Sequence, residues 1–316
     1  MPLHPFIDAM LAKLAGRPML SAGSPEEARA MVAAGRQALG AGPDLAVVRD
    51  IAIPTRSGSV PARYLASSDA PDGLLLYLHG GGWVVGALDD FDVYARTLAA
   101  ESGYGVLLLD YRLAPEHPFP AGLEDCIDVL AACIEAKVTG VPVTSPLVVA
   151  GDSAGANLAT VAIRKSARRD SVALQVLYYP VADCDFASSS YIAHADGVGL
   201  TAHDMEWFFR HYAPSELWSS PDISPLRAGD LPGMPPAIIV TAEYDVLCDE
   251  GEAYAAMLRK HGVPVTLRRL DGLTHGFVRL HNLFDVPMNE LKAVAAEISA
   301  AGAAHSRNLR SKGQSA

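Results

Sequence analysis

Short runs of apolar residues alternate along this chain with stretches of helical periodicity, and that alternation narrows the fold more than any other feature. Leu74–Leu78, Val106–Leu109 and Ala237–Val240 are continuously apolar. Runs this short without in-out alternation belong to strands buried on both faces. Strand-like runs fall at 46–53, 59–66, 74–78, 104–110, 146–150, 174–180, 236–242 and 264–270. Helical patterns separate the later ones, as at 89–102, where Phe91, Tyr94, Ala95, Leu98 and Ala99 share one face. Strands alternating with helices specify an α/β fold whose mostly parallel sheet is covered on both sides. No helix separates the first two runs, so they are predicted to form an antiparallel hairpin at the sheet edge.

Three segments stand outside the alternation. Before residue 45 the pattern is that of two short amphipathic helices. The first carries Phe6, Ile7, Met10, Leu11 and Leu14 at helical spacing. The second opens at Ser24-Pro25-Glu26-Glu27, which supplies an N-cap, a first-turn proline and a capping-box glutamate. A long excursion between Pro180 and Pro235 holds a predicted helix at about 201–212 with Trp207, Phe208, Phe209 and Tyr212. An excursion of this length inside an α/β domain points to function. The polar tail from 304 is expected to be disordered.

The chain has 316 residues, half of them hydrophobic, enough to bury a large core. Its net charge of −11 argues against a nucleic-acid partner or an anionic membrane, either of which calls for a basic face. No run reaches the ~18 uninterrupted apolar residues of a membrane span. The N-terminus lacks the basic and apolar blocks of a signal peptide. The four cysteines, Cys126, Cys133, Cys184 and Cys248, show neither CxxC nor metal spacing, as expected for reduced thiols in a cytoplasmic protein. Cys126 and Cys133 stand about 10 Å apart along a predicted helix, too far for a bridge.

The chemistry-bearing residues follow the strand runs. Gly151-Asp152-Ser153-Ala154-Gly155 comes after one apolar run and before a helix-competent stretch, Asn157 to Arg168. That is the strand–turn–helix setting of a nucleophile elbow, in which Ser153 is exposed on a tight turn and the glycines leave it room. His79-Gly80-Gly81-Gly82-Trp83 follows the strand run 74–78. Its glycines can turn backbone N–H groups toward a developing oxyanion, and the donors are assigned to Gly80, Gly81 and Ala154. No phosphate-loop pattern competes. His79 itself reads as a structural hydrogen-bonding residue.

A serine nucleophile needs a base and an orienting carboxylate, which follow it in the order acid, then histidine. His275 lies in the loop after the last strand run, where catalytic groups collect in parallel sheets. His261 and His281 are read as surface residues. Asp245, close to the end of the preceding strand run, is the preferred acid over Glu243. Asp249 and Glu250 are read as first-turn charges on the following helix.

Together, His79–Gly82, Asp110–Glu116, Gly151–Gly155, Asp245…Asp249-Glu250-Gly251 and His275-Gly276-Phe277 resemble the signatures of the bacterial hormone-sensitive-lipase family of carboxylesterases. They occur in that family's order and span roughly 45 to 300. The resemblance implies the α/β-hydrolase fold with an eight-stranded sheet, a Ser153–Asp245–His275 triad and an oxyanion hole at Gly80, Gly81 and Ala154. It also implies a helical cap built from residues 1–45 and 183–230, inserted around core segments 46–182 and 231–303. Where the family usually has Asp-Pro-Leu-Arg-Asp-Glu-Gly, this chain has Asp245-Val246-Leu247-Cys248-Asp249-Glu250-Gly251. Losing the proline and arginine is expected to change loop rigidity and remove a salt bridge. Arg112 and Glu116 are read as holding the Pro-rich loop near the site.

The resulting expectation is a serine carboxylesterase acting on short- to medium-chain acyl esters, with no metal or organic cofactor. Trp83, Trp207 and Phe208 are candidate pocket residues. The family resemblance further suggests a homodimer through the sheet edge. An amidase or lactonase with the same triad is one alternative, separated by an ester-versus-amide series. The other is a non-catalytic receptor on this fold, like the plant gibberellin receptors, which should lack a triad residue.

Overall fold

The computed structural model describes residues 2–142, 145–196 and 199–313. Eight strands form one sheet: β1 (Val47–Thr55), β2 (Gly58–Ala66), β3 (Leu74–Leu78), β4 (Gly105–Leu109), β5 (Leu147–Asp152), β6 (Val172–Tyr178), β7 (Ala237–Tyr244) and β8 (Val265–Thr274). Their order across the sheet is β1-β2-β4-β3-β5-β6-β7-β8. The hairpin expected at the edge is present: β1 and β2 pair antiparallel, with Thr55 opposite Gly58. β2 is also antiparallel to β4, and every later pairing is parallel.

Burial on both faces explains the uninterrupted apolar runs. Along β3, Leu74, Leu76 and Leu78 enter one core with Leu123 and Val129 of α4 (Ala121–Ile134) and Leu158 of α5 (Ala154–Lys165). Leu75 and Tyr77 enter a second core with Phe91 and Leu98 of α3 (Leu88–Ser102) and with Leu291 and Val294 of the C-terminal helix, Asp285–Gly313. Side chains alternate between the two faces of a strand, so a strand covered twice is apolar at nearly every position, and the few polar ones, such as Gln175 in β6, are hydrogen-bonded inside. The edge strand β1 is the contrast. It is mostly exposed and carries Arg49 and Asp50, charges that discourage another chain from pairing there.

The N-terminal helices are α1 (Pro5–Leu14) and α2 (Pro25–Ala34), the latter opened by the capping box of Ser24 and Glu27. The excursion after β6 contains α6 (Ser189–Ala193) and α7 (Ala202–Tyr212). Its neck is closed by the Leu226 N–H donating to the Ala182 carbonyl and by Arg227 paired with Asp183. The N-terminal segment joins it where the Ser21 N–H donates to Asp204 of α7 at 3.0 Å. α8 (Cys248–Lys260) follows β7. Glu250 in its first turn is buried, where it accepts the N–H groups of Ala182 and Asp183, and Asp249 accepts that of Ser190. These two carboxylates therefore anchor the root of the excursion as well as standing at a helix N-terminus.

Two sequence expectations are corrected here. The tail from 304, expected to be disordered, continues the C-terminal helix, α9, as far as Gly313, and 314–316 lie outside the described residues. Residues 303–312 contain neither proline nor glycine and include alanine, leucine, arginine and lysine, which sustain a helix once it is nucleated. His281, expected at the surface, is buried between Thr97 and the Val278 carbonyl. Among the described residues no helix is long and apolar enough to cross a membrane.

Candidate active site

The chain crosses from β3 to β4 on one side of the sheet and returns to place β5 on the other. The crevice at such a reversal, beyond the carboxyl ends of the strands, is where open α/β sheets hold ligands. Here β3 runs into His79–Gly82 and β5 runs into Asp152-Ser153-Ala154.

Ser153 occupies the single residue between β5 and α5, with φ 55° and ψ −121°. A non-glycine residue held there is strained and persists only where its surroundings fix it. Those surroundings are backbone: a Cβ on Gly155 would overlap the Leu78 carbonyl oxygen, and one on Gly151 would overlap Gly155. The Ser153 Oγ lies 3.0 Å from Nε2 of His275, whose Nδ1 lies 2.7 Å from Oδ2 of Asp245. Asp245 is buried and its other oxygen accepts the Leu247 N–H at 3.0 Å. With Nδ1–H donating to the carboxylate, Nε2 is left to accept the serine proton. Val246 and Leu247, in the loop that departs from the family pattern, are fully buried, so apolar burial holds this loop. Glu243, the competing acid, instead accepts the Gly272 N–H at 2.7 Å.

The oxyanion assignment needs one correction. The Gly80 N–H donates to Oδ1 of Asp152 at 2.8 Å, so it is not available to a substrate. Gly81 and Gly82 line the cavity beside Ser153, and among the described residues their N–H groups have no acceptor in the protein. Gly82 adopts φ 58°, and a Cβ there would run into the Phe208 ring. The Ala154 N–H is one of the unbonded donors at the start of α5. The backbone donors left without an acceptor next to Ser153 are therefore those of Gly81, Gly82 and Ala154.

Asp152 is the residue that the motif conceals. It is buried, and its Oδ1 accepts the Tyr77 hydroxyl at 2.9 Å as well as the Gly80 N–H. Burial pushes its carboxyl up to about 6, against the opposing pull of those two hydrogen bonds. It ties the loop after β3 to the elbow after β5. Its signal in the sequence was a carboxylate between an apolar run and the nucleophile, where little solvent reaches.

His79 fills the structural role expected of it. Its Nδ1 donates to the Gly80 carbonyl at 2.7 Å, and its ring stacks between Phe91 and Tyr111. Burial pushes its pKa down to about 4, so it is neutral at pH 7. Arg112 is bound to Asp125 and to the Ala121 carbonyl, and Glu116 is paired with Arg29 of α2. Both hold the Pro-rich loop.

The cavity over Ser153 measures about 130 Å³, and its far wall is Leu20, Val32, Leu200, Met205 and Phe208. Of the three proposed pocket aromatics, only Phe208 lines it. Trp83 is buried in the core, stacked on Tyr212 with ring centroids 4.2 Å apart, because φ 61° turns it away after the glycines. Trp207 faces His211 on the other side of α7. A second cavity of about 660 Å³ shares Leu20 and Val32 with the first and is lined further by Leu11, Leu14, Met19 and Met31.

Comparison with known proteins agrees on the kind of molecule this resembles. A family model described as alpha/beta hydrolase fold matches residues 75–279. The carboxylic ester hydrolase LipN of Mycobacterium tuberculosis is 40% identical over 253 residues, 77% of this chain and 67% of its own. The ethyl acetate hydrolase of Pseudomonas putida is 38% identical over 249 residues, 75% of this chain and 78% of its own. The hyperthermophilic esterase of Pyrobaculum calidifontis superimposes with a TM-score of 0.89 at 35% identity, covering 95% of this chain and 99% of that one.

Proposed function

Since the chain belongs to the hormone-sensitive-lipase family of α/β-hydrolase carboxylesterases, we propose that it cleaves short- to medium-chain acyl esters through Ser153, His275 and Asp245. In this reading His275 Nε2 takes the Ser153 proton as the oxygen attacks the ester carbonyl. The negative charge that develops on the carbonyl oxygen is met by the N–H groups of Gly81, Gly82 and Ala154. His275 then gives the proton to the departing alcohol. Water, activated by the same imidazole, releases the acid from the acyl-enzyme. Asp245 holds the tautomer throughout and stabilises the imidazolium that forms. α1, α2 and the 183–230 excursion serve as a single cap, closing the cavity from above.

The size of the cavity carries the chain-length assignment. At about 130 Å³ it is comparable with the ~150 Å³ engineered cavity that holds one benzene. That volume accommodates an acyl group of a few carbons and no more. A longer chain has to pass Leu20 and Val32 into the neighbouring cavity.

Hydrolysis of p-nitrophenyl esters from acetate to laurate, with Ser153→Ala in parallel, tests both parts. The expected profile peaks at or below hexanoate and vanishes in the variant. A maximum at laurate, or turnover surviving in Ser153→Ala, would overturn the chain-length reading or the nucleophile respectively.

A further inference from the structure

The 3-10 turn Phe277–Leu280 that follows His275 returns the chain to the cavity and places Arg279 on its wall, beside Ser153, His275 and Gly276. An arginine inside a small apolar cavity has to be accounted for. Elsewhere in this protein, buried or half-buried arginines are neutralised: Arg63 by Asp50, Asp89 and Asp92, Arg112 by Asp125, Arg164 by Asp222 and Asp230. Arg279 is not. Among the described residues no carboxylate stands within ion-pair distance of its guanidinium, and its buried Nε has no hydrogen-bond partner. Among the described residues the one carboxylate on the cavity wall is Asp152, whose Oδ1 is taken by Tyr77 and Gly80 and which feels the Arg279 charge without forming an ion pair with it.

The guanidinium is nevertheless held in place. It lies over the ring of Phe91, 5.2 Å from the centroid, and that ring is itself stacked on His79. An aromatic face steadies a guanidinium without neutralising it and leaves its in-plane N–H donors free. The other lining residues, chiefly leucine, valine, methionine, phenylalanine and glycine, offer nothing that a cation needs. A fixed guanidinium with no ion-pair partner beside a nucleophile is complementary to a planar anion, which it can bind through two parallel N–H···O bonds.

We propose that Arg279 is a carboxylate-binding residue of the substrate pocket, and that the preferred esters carry a carboxylate on their acyl or alcohol part. The inference rests on the esterase reading of Ser153 and adds a substrate class to it. The net charge of −11 gives the protein no long-range attraction for anions, so the preference has to arise by contact and to appear mainly in KM.

The test compares each carboxylate with its neutral carboxamide. On the acyl side the pair is monomethyl glutarate and the methyl ester of glutaric monoamide. On the alcohol side it is acetoxyacetate and acetoxyacetamide. In the wild type, kcat/KM is expected to favour the carboxylate in one pair by about ten- to a hundredfold, the scale of a hydrogen bond to a charged group. Arg279→Gln should abolish that ratio by raising KM for the anion, and Arg279→Lys should restore part of it as a point charge. Which pair responds says which part of the ester faces Arg279. A ratio near one in both pairs, a ratio unchanged by Arg279→Gln, or equal loss on both members of a pair would overturn the proposal, the last by making Arg279 a structural residue.

Calorimetric binding of glutarate and glycolate to Ser153→Ala, with and without Arg279→Gln, reads the anion site without turnover. If no ester is hydrolysed but binding depends on Arg279, the esterase reading has failed and the anion site stands. If esters turn over while neither anion binds in an Arg279-dependent way, the anion site has failed alone.

Discussion

The two walls of the cavity are made from different materials. The inner wall is built around backbone after β3 and β5, Gly80–Gly82, the strained Ser153 and the first N–H of α5, tied together by Asp152, with the His275 and Arg279 side chains beside it. The outer wall is side chains borrowed from α2, α7 and the loops beside them: Leu20, Val32, Leu200, Met205 and Phe208. Backbone donors held in place lose nothing to reorganisation when charge develops, which is what acyl transfer demands. Apolar side chains discriminate by size, at the modest level that a methylene allows. On the proposed mechanism one wall carries the reaction and should tolerate little change. The other should be alterable and set what is accepted.

Substitutions should separate the two walls sharply. The largest effect is expected from Ser153→Ala or His275→Ala, with kcat falling by about 10⁵-fold or more while the melting temperature moves little. A stopped-assay titration that still finds activity near wild type would remove the inner wall from the chemistry. Next comes Asp245→Asn, which keeps the shape but frees the wrong tautomer and should lower kcat by about 10⁴-fold. Gly82→Ala keeps its N–H but should displace it, because φ 58° strains an alanine and its Cβ meets Phe208, so kcat should fall by up to about 10²- to 10³-fold, the scale of one lost oxyanion donor, and stability should fall as well.

The outer wall should answer differently. Val32→Ala or Leu20→Ala is expected to open the small cavity into its larger neighbour, improving kcat/KM for octanoate over butyrate by about tenfold. If these variants depress all chain lengths alike, the division between the walls is not a division of labour.

The smallest effect concerns pH and tests the tie within the inner wall. The carboxyl of Asp152, raised to about 6, contributes stability that is full below the ordinary aspartate value and is lost as pH rises through 6. His79, lowered to about 4, contributes stability present above the ordinary histidine value and lost as pH falls toward 4. Between pH 4 and 6 the two slopes oppose each other. Asp152→Asn removes the first, so its urea midpoint should fall more steeply on acidification than that of the wild type. Parallel curves would show that Asp152 does not titrate in this window.

The same division explains what could be read from the chain. The central strands, buried on both faces, leave unbroken apolar runs, and the partly exposed β1, β2 and β8 still carry strand-like runs, so all eight were visible, as was the hairpin with no room for a helix between its strands. The family was legible because each half of the inner wall is a short contiguous motif, His79–Gly82 and Gly151–Gly155. What escaped was geometry within a motif. Of three successive glycines, the letters do not say that the first N–H turns to Asp152 and the next two are left without an acceptor in the protein. The outer wall escaped for a different reason. Leu20, Val32 and Met205 come from segments distant in sequence, and nothing in a helical pattern tells which of Trp207, Phe208 and Phe209 faces a cavity. The helical continuation past residue 304 was hidden because polar composition describes an exposed helix and a loose tail equally well.

The contact between Gly82 and the ring of Phe208 has a consequence for inheritance. A lineage that trims position 208 gains room above the glycine, yet φ 58° still excludes an ordinary side chain at 82. The dependence runs one way. On the proposed mechanism, change in the roof would alter what is accepted and leave the reacting floor as it is.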